Sequence, residues 1–167
     1  MFSLKHWQDE RAELEAAGVQ LPKEDPEPIR AAGRKQPVWI HVGGGNLYRA
    51  FHAAIAQDMI DAGALERGVV VMETFHPFTV DELYKPYNDD ILQVIMNPDG
   101  TLKERVLAST ADALFANVGR PQDWQRAQRY FESPELQLVT VTITEKGYAL
   151  HDVEGNPTQA AKKDFEG

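Results

Sequence analysis

The sequence predicts an α/β fold, a mostly parallel sheet flanked by helices. Three observations predict it. Residues 37–42 are a β-branched and aromatic run that stops at three consecutive glycines, Gly43, Gly44 and Gly45. Behind them, Leu47, Phe51, Ala54, Ile55, Met59 and Ile60 recur at helical spacing up to Gly63. Residues 69–72 are then a short, continuous apolar run, the pattern of a strand buried on both faces. Strand, glycine turn, helix and strand make one βαβ unit, whose crossover is expected to be right-handed.

Taken in order, residues 8–17 are strong helix formers stopped by Gly18. Leu14 and a few alanines are their only apolar face, which predicts weak packing. Pro22, Pro26 and Pro28 make residues 21–28 read as an extended arm, followed by a turn of helix at residues 29–32 closed by Gly33. The division that follows is an N-terminal helix and arm over 1–35 and the compact α/β part over 36–167. Past the βαβ unit, a short helix is expected at residues 80–84. Residues 91–96 and 103–107 read as a β-hairpin about an Asn97-Pro98-Asp99-Gly100 turn. Residues 110–115 resemble a short capped helix. Residues 121–131 form a better one, with Pro121 at its start and Trp124, Ala127 and Phe131 on one side. Residues 136–143 read as a further core strand. The tail from His151 shows no period.

The chain of 167 residues is 43% apolar and 26% charged, so it is long and apolar enough to bury a core in one domain or part of a larger one. It has no cysteine, which excludes disulfides, Cys-ligated metals and a thiol nucleophile, and it fits a cytoplasmic location. A net charge of −9 repels nucleic-acid phosphate. No apolar run approaches the roughly 18 residues of a membrane span.

Three adjacent glycines cost backbone entropy, so the turn must need bare Cα atoms. At a strand-to-helix junction the usual need is close approach of phosphate to backbone N–H groups. In the dinucleotide fingerprint of Rossmann-like domains, Gly43 and Gly45 fill the first two glycine roles. The third falls on Tyr48, so the helix cannot sit as close to the strand unless that ring points outward. Glu73 directly follows the second strand, where a carboxylate accepts both ribose hydroxyls and repels a 2′-phosphate, favouring NAD over NADP. Arg49, in the first helical turn, reads either as a surface ion pair or as a partner for a bound anion.

The segment Val42-Gly43-Gly44-Gly45-Asn46-Leu47-Tyr48-Arg49-Ala50-Phe51 resembles the G-x-G-N-[FIL]-x-R-A-[FH] signature of the long-chain polyol dehydrogenase family, of the mannitol dehydrogenase and fructuronate or tagaturonate reductase type. Thr142-Ile143-Thr144-Glu145-Lys146-Gly147-Tyr148 is similar to its T-I-T-E-x-G-Y block. Between them, Pro98-Asp99-Gly100-Thr101 and Val106-Leu107-Ala108-Ser109 resemble its hairpin ahead of a Ser-initiated helix. The resemblance spans about residues 20–150. It implies an incomplete Rossmann-like domain with a β-hairpin insertion. The implied enzyme is metal-independent and NAD(P)-dependent, with Glu73 favouring NAD, and interconverts a polyol or aldonate with its ketose or keto acid. Gly43, Gly44, Gly45, Asn46, Leu47, Arg49 and Glu73 would line the cofactor, and Glu145 would lie near the reacting carbinol. The family's catalytic K-x-x-x-x-N-x-x-H pattern has no match here: Lys85 and Lys146 are followed five places on by Asp90 and His151. The expectation is an N-terminal portion of the enzyme, inactive alone.

A second reading stays open, a non-catalytic α/β module that binds another phosphate ligand or serves assembly. The five histidines show no HExxH or paired spacing, so no metal site is predicted; His41, in a strand, reads as a satisfied core histidine. Asp89-Asp90 reads as a solvated turn, and the aromatic residues between Phe75 and Tyr87 as packing under a loop.

Overall fold

The computed structural model describes residues 3–144 and 149–166. Four parallel strands form the main sheet in the order β5-β2-β1-β6: β1 is Trp39–Val42, β2 Val69–Glu73, β5 Thr110–Phe115 and β6 Leu138–Val141. A separate antiparallel hairpin pairs β3, Ile91–Met96, with β4, Leu102–Leu107. The helices are α1 (Arg11–Ala16), α2 (Pro26–Lys35), α3 (Ala53–Asp61), α4 (Pro77–Leu83), α5 (Pro121–Phe131) and α6 (Gln159–Glu166). A π-helical turn, Tyr48–His52, leads into α3.

Alternation along the strands divides the core in two. Trp39, Val69, Val71, Ala113 and Phe115 meet Tyr48, Ala53, Ala56 and Tyr84 on one face. Ile40, Val70, Met72 and Leu114 meet Ala127 and Tyr130 of α5 on the other. All five residues of β2 are buried, as the unbroken apolar run requires.

Five expectations about the helices and strands are corrected. First, residues 110–115 are not a helix but β5, paired with β2 and buried throughout. Helix propensities differ by less than about 0.7 kcal/mol per residue. Burying Leu114 or Phe115 is worth roughly 1.5–3 kcal/mol each, so the sheet wins. Ser109 likewise starts no helix; its hydroxyl donates to Ala53 O. Second, residues 26–35 are not an arm with one helical turn but the ten-residue α2, capped by Asp25, whose carboxylate accepts from Glu27 N. Gly33 does not close it. It lies inside, where a Cβ would stand 2.4 Å from Gly68 O and 2.7 Å from the Ala111 Cβ. A glycine here lets α2 lie against β5.

Third, the apolar stripe on the helix after the glycines faces outward. Leu47 and Phe51 are 59% and 55% exposed, and Ile55 and Met59 are exposed too. Of the stripe Ala54 and Ile60 alone are buried, together with Tyr48, Ala53, Ala56 and Gln57. The π-turn carries Tyr48 inward, and the small alanines let α3 approach the sheet closely. Fourth, β6 is an edge strand with Leu138, Val139 and Val141 about half exposed, not a core strand. Fifth, the tail contains α6, Gln159–Glu166.

The N-terminal segment packs more firmly than its composition suggests. Leu14 joins Trp7, Val19, Leu21, Val106 and Ala108 in a small core. Gln20 adds to β4: its N–H donates to Glu104 O, and Val106 N donates to Gln20 O. Asp89 and Asp90 are buried, not a solvated turn. Asp90 pairs with Arg30 and accepts from Trp7 Nε1 at 3.0 Å. Lys85 donates to Asp89 and, at 2.9 Å, to Asp112, which also accepts from the Tyr130 hydroxyl. Every carboxylate on this α2–β5 flank has a cation or hydroxyl against it.

Candidate functional site

The glycine turn lies at the carboxyl end of β1, between β2 and β6. In open α/β sheets that edge faces the ligand crevice. Its three glycines have different neighbours. Gly43 has φ +111°, a conformation that side chains rarely adopt, and a Cβ there would stand 2.3 Å from Thr142 Oγ1. A Cβ on Gly44 would make ordinary contacts with Val71, Thr79 and Tyr84 at 3.4–3.5 Å. Among the described residues, a Cβ on Gly45 would meet nothing within 4 Å. The fold therefore requires glycine at 43 and not at 45.

The backbone donors divide the same way. Gly43 N donates to Met72 O at 2.8 Å, and Gly44 N to Glu73 Oε2 at 3.2 Å. The amides of Gly45, Asn46 and Leu47, at the start of the helix, have no acceptor among the described residues. Such orphan donors at a helix start face an anion well.

Glu73 is buried and its carboxylate is well occupied. Oε1 accepts from the amides of Thr74, Phe75 and His76 at 3.0, 2.9 and 3.4 Å, while Oε2 takes only Gly44 N. One carboxylate thus ties the end of β2 to the glycine turn. The buried Tyr84 hydroxyl donates to Gly44 O at 2.8 Å and holds the next peptide, between Gly44 and Gly45. Burial pushes the Tyr84 and Tyr48 hydroxyls well above the usual phenol range, so both stay protonated.

Tyr48, at the third glycine position, turns inward rather than outward. It is fully buried, hydrogen-bonded to Thr110 Oγ1 at 3.1 Å and packed on the His41 ring at 4.7 Å between centroids. The π-turn makes room for the ring. Arg49 forms no ion pair among the described residues; Nη2 donates to Asn46 Oδ1 at 2.5 Å. Both residues line a small pocket against Gln93 of β3, whose side chain donates to Ala50 O at 2.7 Å. Leu47 is exposed beside the turn. Glu145 lies outside the described residues.

His41 is fully buried with both ring nitrogens partnered, to Thr140 Oγ1 at 2.7 Å and Thr142 Oγ1 at 3.3 Å. Burial, then nearby His52, lowers its pKa to about 4. Beside the turn, an apolar cavity of about 400 Å³ opens at the ends of β1 and β2, lined by Val42, Met72, Thr74 and Ala116 and by Trp124 and Phe131 of α5. Trp124 and Phe131 thus share a side of α5 as expected, but face this cavity rather than the core. Reading the sequence missed Tyr84 and Thr142. Nothing local marks Tyr84, whereas Thr142 opens the T-I-T-E block.

No family model matches the chain. The D-mannonate oxidoreductase of Thermotoga maritima is 40% identical over 147 residues, covering 88% of this chain and 27% of that protein. Over most of its length the chain is similar to part of that oxidoreductase. A polyol:NADP oxidoreductase of Gluconobacter oxydans is 26% identical over 141 residues, 83% of this chain and 27% of its own. Among solved structures, a D-sorbitol dehydrogenase in substrate-free form superposes with a TM-score of 0.69 at 24% identity, covering 90% of this chain and 30% of that one. Pseudomonas fluorescens mannitol 2-dehydrogenase, in a ternary complex with NAD and D-mannitol, gives 0.66 at 24%, covering 83% and 27%. These two establish the Rossmann-like α/β fold. The chain spans about 27% of the length of the curated relatives it matches.

Proposed function

We propose that this chain is the cofactor-holding part of an NAD-dependent oxidoreductase that interconverts a sugar alcohol, a mannitol-like polyol or an aldonate, with its ketose or keto acid. One observation carries the reading. Gly45 is a glycine that neither backbone conformation nor packing requires, and it stands beside three amides without acceptors. A pyrophosphate supplies the missing reason, because it needs both the bare Cα and the donors. The 40% identity to a D-mannonate oxidoreductase favours a sugar acid as substrate.

In this reading residues 36–167 carry the cofactor and residues 1–35 brace them. Gly45, Asn46 and Leu47 bind phosphate oxygens through their amides, with Gly43 and Gly44 shaping the turn. Arg49 sets the Asn46 side chain and adds positive charge. Glu73 keeps one lone pair on Oε2, enough for one ribose hydroxyl rather than two, and its charge disfavours a 2′-phosphate. The neighbouring apolar cavity suits a flat adenine ring. The nicotinamide, when bound, supplies the hydride acceptor. Glu145 is assigned to the region of the reacting carbinol. The 167 residues hold no lysine followed by Asn five and His eight positions on, so turnover is not expected of this chain by itself. The absence of cysteine supports a cytoplasmic setting.

Calorimetric titration with NADH tests the proposal. Saturable binding is expected, weaker for NADPH, with the preference relaxed in Glu73→Ala. No saturable binding removes the dehydrogenase reading in favour of an assembly module, and an unchanged preference in Glu73→Ala removes Glu73 from the ribose site.

A further inference from the structure

The geometry points to Thr142 as a positioning residue of the glycine turn: its hydroxyl, directed by neutral His41, holds the Gly43 carbonyl from the β6 side. The cofactor consequence of this assignment rests on the turn being the dinucleotide site; the hydrogen-bond chain itself does not.

The chain has one self-consistent set of donors. Thr142 Oγ1 lies 3.2 Å from Gly43 O and 3.3 Å from His41 Nε2. A carbonyl only accepts, so the hydroxyl gives its single hydrogen to Gly43 O. It then has none to offer His41, and Nε2 must carry the hydrogen between them. A neutral imidazole has one N–H, which makes Nδ1 an acceptor. Thr140 Oγ1, 2.7 Å from Nδ1, therefore donates to it and in turn accepts from Trp39 Nε1 at 2.8 Å. Trp39, Thr140, His41, Thr142 and Gly43 form a relay in which each hydrogen points one way, from the start of β1 to the turn at its end.

The surrounding backbone is built for this approach. Thr142 N donates to Val42 O at 2.9 Å, continuing the β1–β6 ladder by one residue. At Gly43 the missing Cβ leaves room for the Thr142 side chain and carbonyl, which would be 2.3 and 2.8 Å away. The turn is thus gripped from both flanks. The Gly43–Gly44 peptide is held by Glu73 at its N–H from the β2 side and by Thr142 at its carbonyl from the β6 side, and Tyr84 holds the Gly44 carbonyl of the next peptide. What these grips leave open is Gly45 and the first helical amides. The glycine at 43 serves the threonine, and the glycine at 45 serves the ligand.

The test uses the 167-residue chain. Nitrogen NMR of the imidazoles in the unsubstituted protein is expected to show His41 neutral at pH 7 with its hydrogen on Nε2. A hydrogen on Nδ1 overturns the relay and needs no variant to be seen. Thr142→Val removes the hydroxyl at nearly constant shape, and Thr142→Ser retains it. Amide exchange at Gly44, whose N–H is bonded to Glu73, is expected to quicken about tenfold in Thr142→Val and to return to the original rate in Thr142→Ser. NADH affinity is expected to fall about tenfold and to be rescued by serine in the same way. Unchanged exchange in Thr142→Val overturns the positioning role. If the unsubstituted chain binds no NADH, the dinucleotide reading fails while tautomer and exchange still decide the fate of Thr142.

Discussion

The α2–β5 flank and the glycine turn both concentrate polar groups, yet they treat them in opposite ways. All four carboxylate oxygens of Asp90 and Asp112 have a partner from Arg30, Trp7, Lys85 or Tyr130, although Asp89 Oδ1 and Arg30 Nε beside them have none among the described residues. At the glycine turn the fold partners Gly43, Gly44 and Glu73, then leaves the next three amides unmatched. A closed network of charges holds a scaffold together. A row of donors left open at the carboxyl edge of a parallel sheet suits a ligand that arrives later. The same contrast recurs within the turn, between Gly43, which the fold requires, and Gly45, which it does not.

The strongest way to break this contrast is on the closed flank. Asp90→Ala strands the buried Arg30 guanidinium and is expected to cost about 3–5 kcal/mol, read as a lowered urea midpoint. A loss below about 1 kcal/mol would show that the network is ornamental. On the open side, Gly45→Val is expected to leave the urea midpoint unchanged while weakening NADH binding about a hundredfold, or about 2.7 kcal/mol. Intact affinity would mean that the cofactor does not pass over Gly45. Gly43→Ala should do the reverse in kind, costing about 2 kcal/mol of stability through its backbone conformation and its clash with Thr142.

His41 connects the turn to pH. Its pKa is about 4 in the fold, against 6.5 unperturbed. Between those values the unfolded chain takes up a proton that the folded chain refuses. The His41 contribution to stability is therefore fully present above pH 6.5 and falls by about 3 kcal/mol as pH drops toward 4. A urea series across that range checks it against His41→Gln, in which this part of the slope should vanish. The smallest effect belongs to the exposed start of α2: Asp25→Ala removes the cap and is expected to cost about 1 kcal/mol.

Gly43, Gly45 and Glu73 were legible because each sits at a boundary that local pattern marks, a strand end or a helix start. The βαβ unit was legible because its strands are buried on both faces and its helix is bounded by glycines. Residues 110–115 were not, because Ala and Leu suit a helix and only pairing with Val69–Glu73 makes them a strand. Asp89 and Asp90 were misread for the same reason: two adjacent acids look solvated until Arg30, 60 residues away in sequence, is folded against them.

By itself, then, the sequence determined the glycine turn, the strand that feeds it and the acid beside it, since those follow from backbone freedom and apolar periodicity within a few residues. Tertiary structure alone decided which glycine serves packing and which faces open space. It also decided that Tyr48 turns inward and that Thr142 reaches Gly43 from 99 positions away. Hydrogen bonds and close contacts depend on distance in space, and that distance exists only once β1 lies between β2 and β6.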